Sequence, residues 1–569
     1  MSRVTAITED GHDHGDLDQG LTSTGLLGDS AKIAVAVAAS RATGLLRIVM
    51  VAAILGPTVL GDLFVAINVL PLILYDIIAG SAISSVLVPP LVRLLALEPI
   101  ERVRRFVGNA SGIIVAGTST VVAAALLLRE PIAAIITAGV DRTLADDAAR
   151  TAVVLLVVIV PQLVLYALIG VFVSVQHSRR RFLLPSAAPI VENVVLMATV
   201  LAVGSIHGTG MEVSDVSTEV LVLLGLGSSL AVGVHAVVQA VGALRAIGPF
   251  RLSLGRSDPA VRSLAGPARD SFGWSSVVAG RQFALIVAAS YAGAGAVQAF
   301  EIATLVYFIP VALIGRPVAS AALPRLVAAG HSNDVTAGYL HAVRLAAWLA
   351  VPAGLALVVL ASPLAEGIAS GKFDNDNPVQ LLVYALAGLG LGAASEALFE
   401  VARQTMMANP GDRVALRRST WIRAGVAAVG IPAAVMLLEG PPIIAALGVV
   451  VSLGDGAALV VVHRSLRRTP GWPSPDLAGP SHWPRILFAS TIAIGLGAIV
   501  DEVVVARWSG SIEDPTRLAA TTATAVASYL VIAWLATRRF AMLSGTGDRP
   551  GEAPTPGTGS GATRPGVCA

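Results

Sequence analysis

The chain has a single cysteine, Cys568, among 569 residues, so no disulfide can form within it. Lysine is almost missing as well: Lys32 and Lys372 are the only two, and every other basic side chain is an arginine. Charged residues make up 13% of the sequence, against roughly a quarter in soluble domains. That shortage argues against an ordinary water-soluble globule of this length. What fills the space is apolar: 55% of residues are hydrophobic and the mean hydropathy is +0.77. A polytopic membrane protein is the direct reading.

A spanning helix needs about 20 mostly apolar residues, since a rise of 1.5 Å per residue then covers roughly 30 Å of hydrocarbon. By that measure the chain holds about 14 such segments. They run near 33–55, 60–89, 106–128, 152–176, 183–204, 219–244, 272–293, 297–322, 343–368, 379–402, 418–438, 441–462, 485–506 and 519–538. The expected fold is therefore an all-α polytopic membrane protein: two pseudo-symmetric lobes of about six helices each, plus about two C-terminal helices. The lobes are expected at 31–246 and 270–466, with the added helices at 484–540. Residues 1–30 and 541–569 read as disordered cytoplasmic tails: the first is acidic and polar, the second rich in Pro, Gly and Thr. His12, Asp13, His14 and Asp16 lie in the first tail, where no ordered frame is expected to gather them round a metal. That N-terminus also lacks the basic-then-apolar pattern of a cleaved signal.

The loops test the segment count independently. Basic residues cluster after every second segment: Arg93, Arg102, Arg104 and Arg105; then Arg179 to Arg181; then the stretch 245–269; then Arg325; then Arg403, Arg413 and Arg417; then Arg464, Arg467 and Arg468. Of the alternate loops, GPTV, IHGTGMEVSDVSTE, AGAGA and EGPP carry no Lys or Arg. Cytoplasmic loops collect basic residues, so the alternation puts both termini inside a plasma membrane. A faint repeat supports two parallel halves: SVLVPPLV at 85–92 is echoed by SAALPRLV at 320–327.

Several charges interrupt the apolar segments. Arg41 and Arg47 lie about 12 and 21 Å along the first one. A central arginine costs at least ~2.5–3.5 kcal/mol on insertion scales, so it is expected to face a wet cavity or an anion. Asp76, Glu192, His235, Arg281, Arg316, Glu396, Glu400, Arg423 and Asp455 are further ionisable residues at membrane depth. Arg316 and Arg423 are near enough to the cytoplasmic interface to snorkel. Asp76 is expected either to neutralise one of the arginines or to bind a coupling cation. The planar fork of arginine suits phosphate, so several arginines round one cavity favour a diphosphate head group.

Four stretches carry a likeness to a known family: SRATGLLRIVMVAAILG (40–56), GDLFVAINVLPLIL with SAISSVLVPPL (61–91), RFLLPSAAPIVEN (181–193), and ASAALPRLV (319–327) with the region 371–412. In that order they resemble the MurJ/MviN family, the peptidoglycan lipid II flippases of the MOP exporter superfamily, over about residues 31–470. The resemblance implies a 14-helix fold and carries that family's paired first-helix arginines onto Arg41 and Arg47. It also brings Asn193, which closes the fifth-helix pattern, into the substrate region. Three departures stand out. Ile48 takes the place of an acidic residue. Tyr75, Asp76 and Gly80 stand where the family has paired arginine and a glutamate. Thr304 and Leu305 stand in place of an Asp-Arg pair. Arg281 and Arg316 are the expected sources of replacement charge.

The resemblance implies a flippase for an undecaprenyl-pyrophosphate-linked peptidoglycan precursor, working by alternating access in a membrane-lipid setting. The missing arginines leave room for another polyprenyl-linked glycan, or for a non-transporting scaffold that recruits cell-wall synthesis proteins. A cation-coupled drug exporter would need an acidic cavity led by Asp76, Glu192 and Asp455, against which the excess of buried arginine counts. An enzyme is not expected, because no nucleotide loop, metal cluster or nucleophile constellation appears. No cofactor, metal or nucleic-acid partner is expected either.

Overall fold

The structure is a computed structural model that describes residues 23–508 apart from 79, 256–257, 321, 323–332, 409–412 and 469–482, together with 523–524 and 527–528. The candidate metal residues His12 to Asp16, the C-terminal tail and most of the segment at 519–538 lie outside the described residues. So does most of the second repeat copy at 320–327.

Among the described residues the chain is helical, without strands. The first lobe contains α1 (Ser23–Leu55), α2 (Val59–Ile78), α3 (Gly80–Leu97), α4 (Ile100–Leu127), α5 (Arg129–Ile136), α6 (Ala145–Ile159), α7 (Gln162–Ser178), α8 (Leu183–Ala187), α9 (Pro189–His207) and α10 (Thr218–Ile247). After α11 (Pro259–Arg262), the second lobe contains α12 (Ala265–Ala289), α13 (Ala296–Pro310), α14 (Asn333–Val359), α15 (Ala361–Ile368), α16 (Asp376–Ala408), α17 (Arg413–Leu437) and α18 (Pro442–Leu466). The helix α19 (Trp483–Trp508) packs on α14. Ten described helices are long and apolar enough to cross a membrane, and shorter apolar helices at Val59–Tyr75, Leu87–Leu97 and Ile486–Leu496 occupy further expected segments.

Proline interrupts two of the expected segments, while 60–89 is helical on either side of residue 79, as α2 and α3. The segment expected at 152–176 is interrupted beside Pro161, which ends the α6 ladder and leads into α7. A proline lacks the N–H that the preceding turn needs. The described part of α1 reaches back to Ser23, inside the stretch read as tail. In the second lobe Pro310 is followed by a π-helical turn, Val311–Gly315, after which helix resumes through Ser320. Wide turns of this kind concentrate at functional positions in α-helices.

Lipid tails are as apolar as leucine, so helix association in a bilayer depends on close packing and interhelical hydrogen bonds. The pair α16 and α18 uses both. A Cβ on Gly388 would lie 2.5 Å from the Ala445 carbonyl oxygen, which only glycine allows. Ser452 Oγ donates to the Gly388 carbonyl at 2.7 Å.

The apolar core is distributed unevenly along the molecule. At the end bearing the bare loops, one cluster joins both lobes, taking Leu55, Leu60 and Phe64 from the first and Val297, Phe300 and Phe373 from the second. At the basic-loop end the lobes have separate cores. One is built on Leu87, Phe106, Val175 and Ile247, the other on Tyr339, Val401, Ala458 and Leu466. Helix α12 touches α2 and α3 on one side and α17 and α18 on the other. The lobes are thus fastened at the bare-loop end, with α1 and α13 meeting between them.

Candidate functional site

Helix α1 is anchored before its arginines are placed. The buried Asn193 on α9 donates from Nδ2 to Thr43 Oγ1 at 3.0 Å and to the Ser40 carbonyl at 3.4 Å. Thr43 Oγ1 in turn donates to the Ser40 carbonyl at 3.1 Å. This holds the turn that carries Arg41. Asn193 therefore acts on α1 through the Thr43 hydroxyl and the Ser40 carbonyl.

Arg41 is exposed, and so is Arg316, which follows the π-helical turn of α13. They come from opposite lobes, yet their like charges act on each other. Among the described residues neither makes an ion pair or a side-chain hydrogen bond. Arg316 also lies within the electrostatic reach of the buried Glu400. Two guanidinium groups within electrostatic reach of one another, neither paired with a carboxylate, form a place that favours an anion.

Arg47 lies about 9 Å further along α1 than Arg41. Its Nη1 is 3.7 Å from Glu192 Oε1, with the arginine side chain 31% exposed. At that distance the contact is a loose ion pair and not a hydrogen bond. Glu192 does not depend on it, because Tyr166 donates its hydroxyl to Oε1 at 3.0 Å and His235 Nδ1 lies 2.6 Å from Oε2. Gln239 Nε2 sits 3.3 Å from His235 Nε2, and Gln176 Nε2 donates to Gln239 Oε1 at 2.7 Å. With its proton on Nδ1, the imidazole donates to Glu192 and accepts from Gln239. This chain fixes the carboxylate and leaves Arg47 open on one side.

The second lobe holds its own charged centre. Arg423 on α17 bonds Glu396 through Nη2. Its Nε lies 3.3 Å from Asp455 Oδ1, and its guanidinium carbon sits 4.1 Å over the Phe399 ring. Tyr307 donates to the other oxygen of Asp455. Arg281, read from the sequence as a source of cavity charge, lies 3.6 Å from Asp455 with its side chain 18% exposed. It belongs to this internal network. Asp76 occupies the last turn of α2, and its side chain lies outside the described residues.

Sequence reasoning passed over the seal at the bare-loop end. Asp62 on α2 accepts from the backbone N–H of Gly295 at 2.8 Å and of Gln298 at 3.0 Å, so it caps α13 of the opposite lobe. Gln298 Nε2 donates to the Gly56 carbonyl at 2.8 Å. Gly295 takes φ 83°, a left-handed conformation suited to glycine, and a Cβ there would meet Pro57 at 2.7 Å. A cavity of about 160 Å³ lies beside the seal, lined by Val59, Asp62, Gly139, Ser290 and Val297 among others. An aspartate at the start of an otherwise apolar segment was the available signal. Asp62→Ala leaves two buried N–H groups without an acceptor, each costing about 1–3 kcal/mol, and frees the lobes to part at this end. With Gly44→Cys as reporter in a Cys568→Ser background, a membrane-impermeant thiol reagent added outside spheroplasts is expected to label the Asp62→Ala protein and spare its parent. Equal labelling of the two would remove the sealing role.

A profile of the family described as lipid II flippase MurJ matches residues 51–469. The chain belongs to the MurJ family. The matched stretch begins beyond Arg41 and Arg47, so assigning those two rests on the α1 geometry and on the motif at 40–56. The lipid II flippase MurJ of Burkholderia cenocepacia is 26% identical over 479 residues, covering 79% of this chain and 88% of the relative. A solved structure of lipid II flippase MurJ in an inward closed conformation superposes with TM-score 0.69 at 15% identity, covering 90% of this chain and 99% of that one. A MATE-family multidrug resistance transporter of the MOP superfamily, in an inward-facing conformation, superposes with TM-score 0.58 at 14% identity, over 75% of this chain and 94% of its own. The two structural likenesses establish the shared fold. Among the described residues no group of three His, Cys, Asp or Glu is arranged to hold a metal ion.

Proposed function

We propose that this MurJ-family chain moves lipid II across the plasma membrane, from the cytoplasmic to the outer leaflet. The observation that carries the reading is that Arg41 and Arg316, from opposite lobes, lie within electrostatic reach of one another with no carboxylate paired to either among the described residues. The diphosphate of the lipid supplies the missing anion, and the open side of Arg47 receives it deeper in the cleft. The prenyl chain stays in the bilayer. The basic loops face the cytoplasm under the charge rule for membrane loops, so both termini are cytoplasmic and the seal around Asp62 is external. Bound diphosphate screens the repulsion between the lobes, lets them close on the cytoplasmic side and loads the external seal. Rocking of one lobe against the other then exposes the head group outside.

Asp76, at the cytoplasmic end of α2, is assigned to neutralising neighbouring arginine. Its other reading, as the seat of a coupling cation, requires flipping to depend on an ion gradient. The membrane potential offers about 2.3 kcal/mol per charge per 100 mV as a driving force. Cell-wall synthesis proteins are the partners expected to receive the product.

The test is complementation of a flippase-depleted cell, paired with binding of purified protein to lipid II and to other polyprenyl-linked sugars. The parent chain is expected to rescue growth and Arg47→Ala to lose rescue while still reaching the membrane. Full rescue by Arg47→Ala would remove the role assigned to that arginine, and failure of the parent chain to rescue would favour a scaffold. Preferential binding of a different polyprenyl-linked glycan would reassign the cargo.

A further inference from the structure

The pairing of Arg47 with Glu192 is loose, and the looseness has a visible cause. An arginine fork beside a carboxylate ordinarily closes to short hydrogen bonds of about 2.7–2.9 Å. Here Arg47 Nη1 stops 3.7 Å from Glu192 Oε1, although the glutamate side chain is only 11% exposed. The backbones do not impose that gap. Helices α1 and α9 pack together, and Asn193, the neighbour of Glu192, bonds α1 at Thr43 and Ser40. The gap arises among the side chains.

Each oxygen of Glu192 already has a partner. Tyr166 on α7 donates to Oε1, the oxygen that Arg47 approaches, at 3.0 Å. His235 on α10 lies 2.6 Å from Oε2. The two partners stand on different helices, so Glu192 cannot turn toward Arg47 without breaking one of these bonds. The Tyr166 ring is steadied in turn by Tyr75 of α2, with ring centroids 6.4 Å apart and planes tilted by 42°. That spacing is within the range of favourable aromatic pairs.

We propose that Tyr166 is a positioning residue for the diphosphate site: its hydroxyl occupies the Glu192 oxygen nearest Arg47 and so keeps the guanidinium free for substrate. Without that hydroxyl, Oε1 accepts an N–H of Arg47, and the new bond competes with the diphosphate for the same donors. This rests on the diphosphate reading above. Tyr166 acts through Glu192 and Arg47 and not on the substrate directly.

The experiment measures binding of a polyprenyl diphosphate to full-length protein in detergent, with the melting temperature read in parallel. Tyr166→Phe removes the hydroxyl and keeps the ring. It is expected to bind the probe about tenfold more weakly, since one charge-assisted hydrogen bond of Arg47 is then spent on Glu192. Its melting temperature is expected to match the parent's, because the closed ion pair replaces the lost hydroxyl bond. Adding Glu192→Gln deletes the competing charge and is expected to restore the parent's affinity. A merely structural role predicts the reverse, because a second change in the same network would deepen the damage. In an Arg47→Ala background, Tyr166→Phe is expected to leave binding unchanged. If the parent binds no diphosphate, or Arg47→Ala binds as well as the parent, the diphosphate reading of Arg47 fails and the inference falls with it. If Arg47→Ala weakens binding and Tyr166→Phe does not, only the positioning role is overturned. It is overturned equally if Glu192→Gln leaves the Tyr166→Phe loss in place.

Discussion

Arg423→Ala is expected to leave the second lobe unable to hold its fold at growth temperature. Arg423 touches Glu396 and Asp455 and covers the Phe399 ring, all inside the helix bundle. Its removal leaves two carboxylates near one another with only Arg281 in range of Asp455. Breaking a buried pair from one side typically costs about 3–5 kcal/mol, most of it from the uncompensated charge left behind. That approaches the whole stability of many domains. Adding Glu396→Gln to the variant should recover part of the loss by deleting one stranded charge. Thermal unfolding of the detergent-purified protein and its membrane yield are the measurements. A melting temperature equal to the parent's would show that the network contributes nothing to the fold.

The second large effect is on binding and not on folding. Arg41→Ala and Arg316→Ala are each expected to weaken polyprenyl diphosphate binding by roughly ten- to hundredfold, since a hydrogen bond to a charged group contributes about 1.5–3 kcal/mol. Each removes one of two mutually repelling charges, so neither should lower the melting temperature of the substrate-free protein. A loss of affinity without a loss of stability separates these arginines from Arg423. Arg41→Lys should restore charge but only part of the affinity, because an ammonium lacks the planar fork. Unchanged binding in both alanine variants would move the head group elsewhere in the cleft.

Much of this was legible in the sequence. The apolar segments and the alternation of basic loops follow from what hydrocarbon excludes, and the helices lie where the segments do. The first-helix arginines stood out as the only charged residues between Lys32 and Asp62. Partners were harder to read. Glu192 and His235 lie 43 residues apart, and Asp62 and Gly295 lie 233 apart, so no local spacing signals either contact. Arg281 illustrates the limit. Its depth in an apolar segment was readable, but whether it turns toward the cleft or toward Asp455 depends on how α12 leans between the lobes.

The π-helical turn after Pro310 has a consequence for Arg316. Such a turn accommodates one more residue than its α-helical counterpart, and one residue corresponds to about 100° of winding. Each side chain from Arg316 to Ser320 is therefore swung about a quarter of the way round the helix axis from the bearing that an unbroken spiral would give it. An otherwise identical protein lacking one residue between Val311 and Gly315 would carry that guanidinium on a different bearing. The compass direction of this charge is thus encoded in an irregularity of pitch and not in the identity of any neighbouring amino acid.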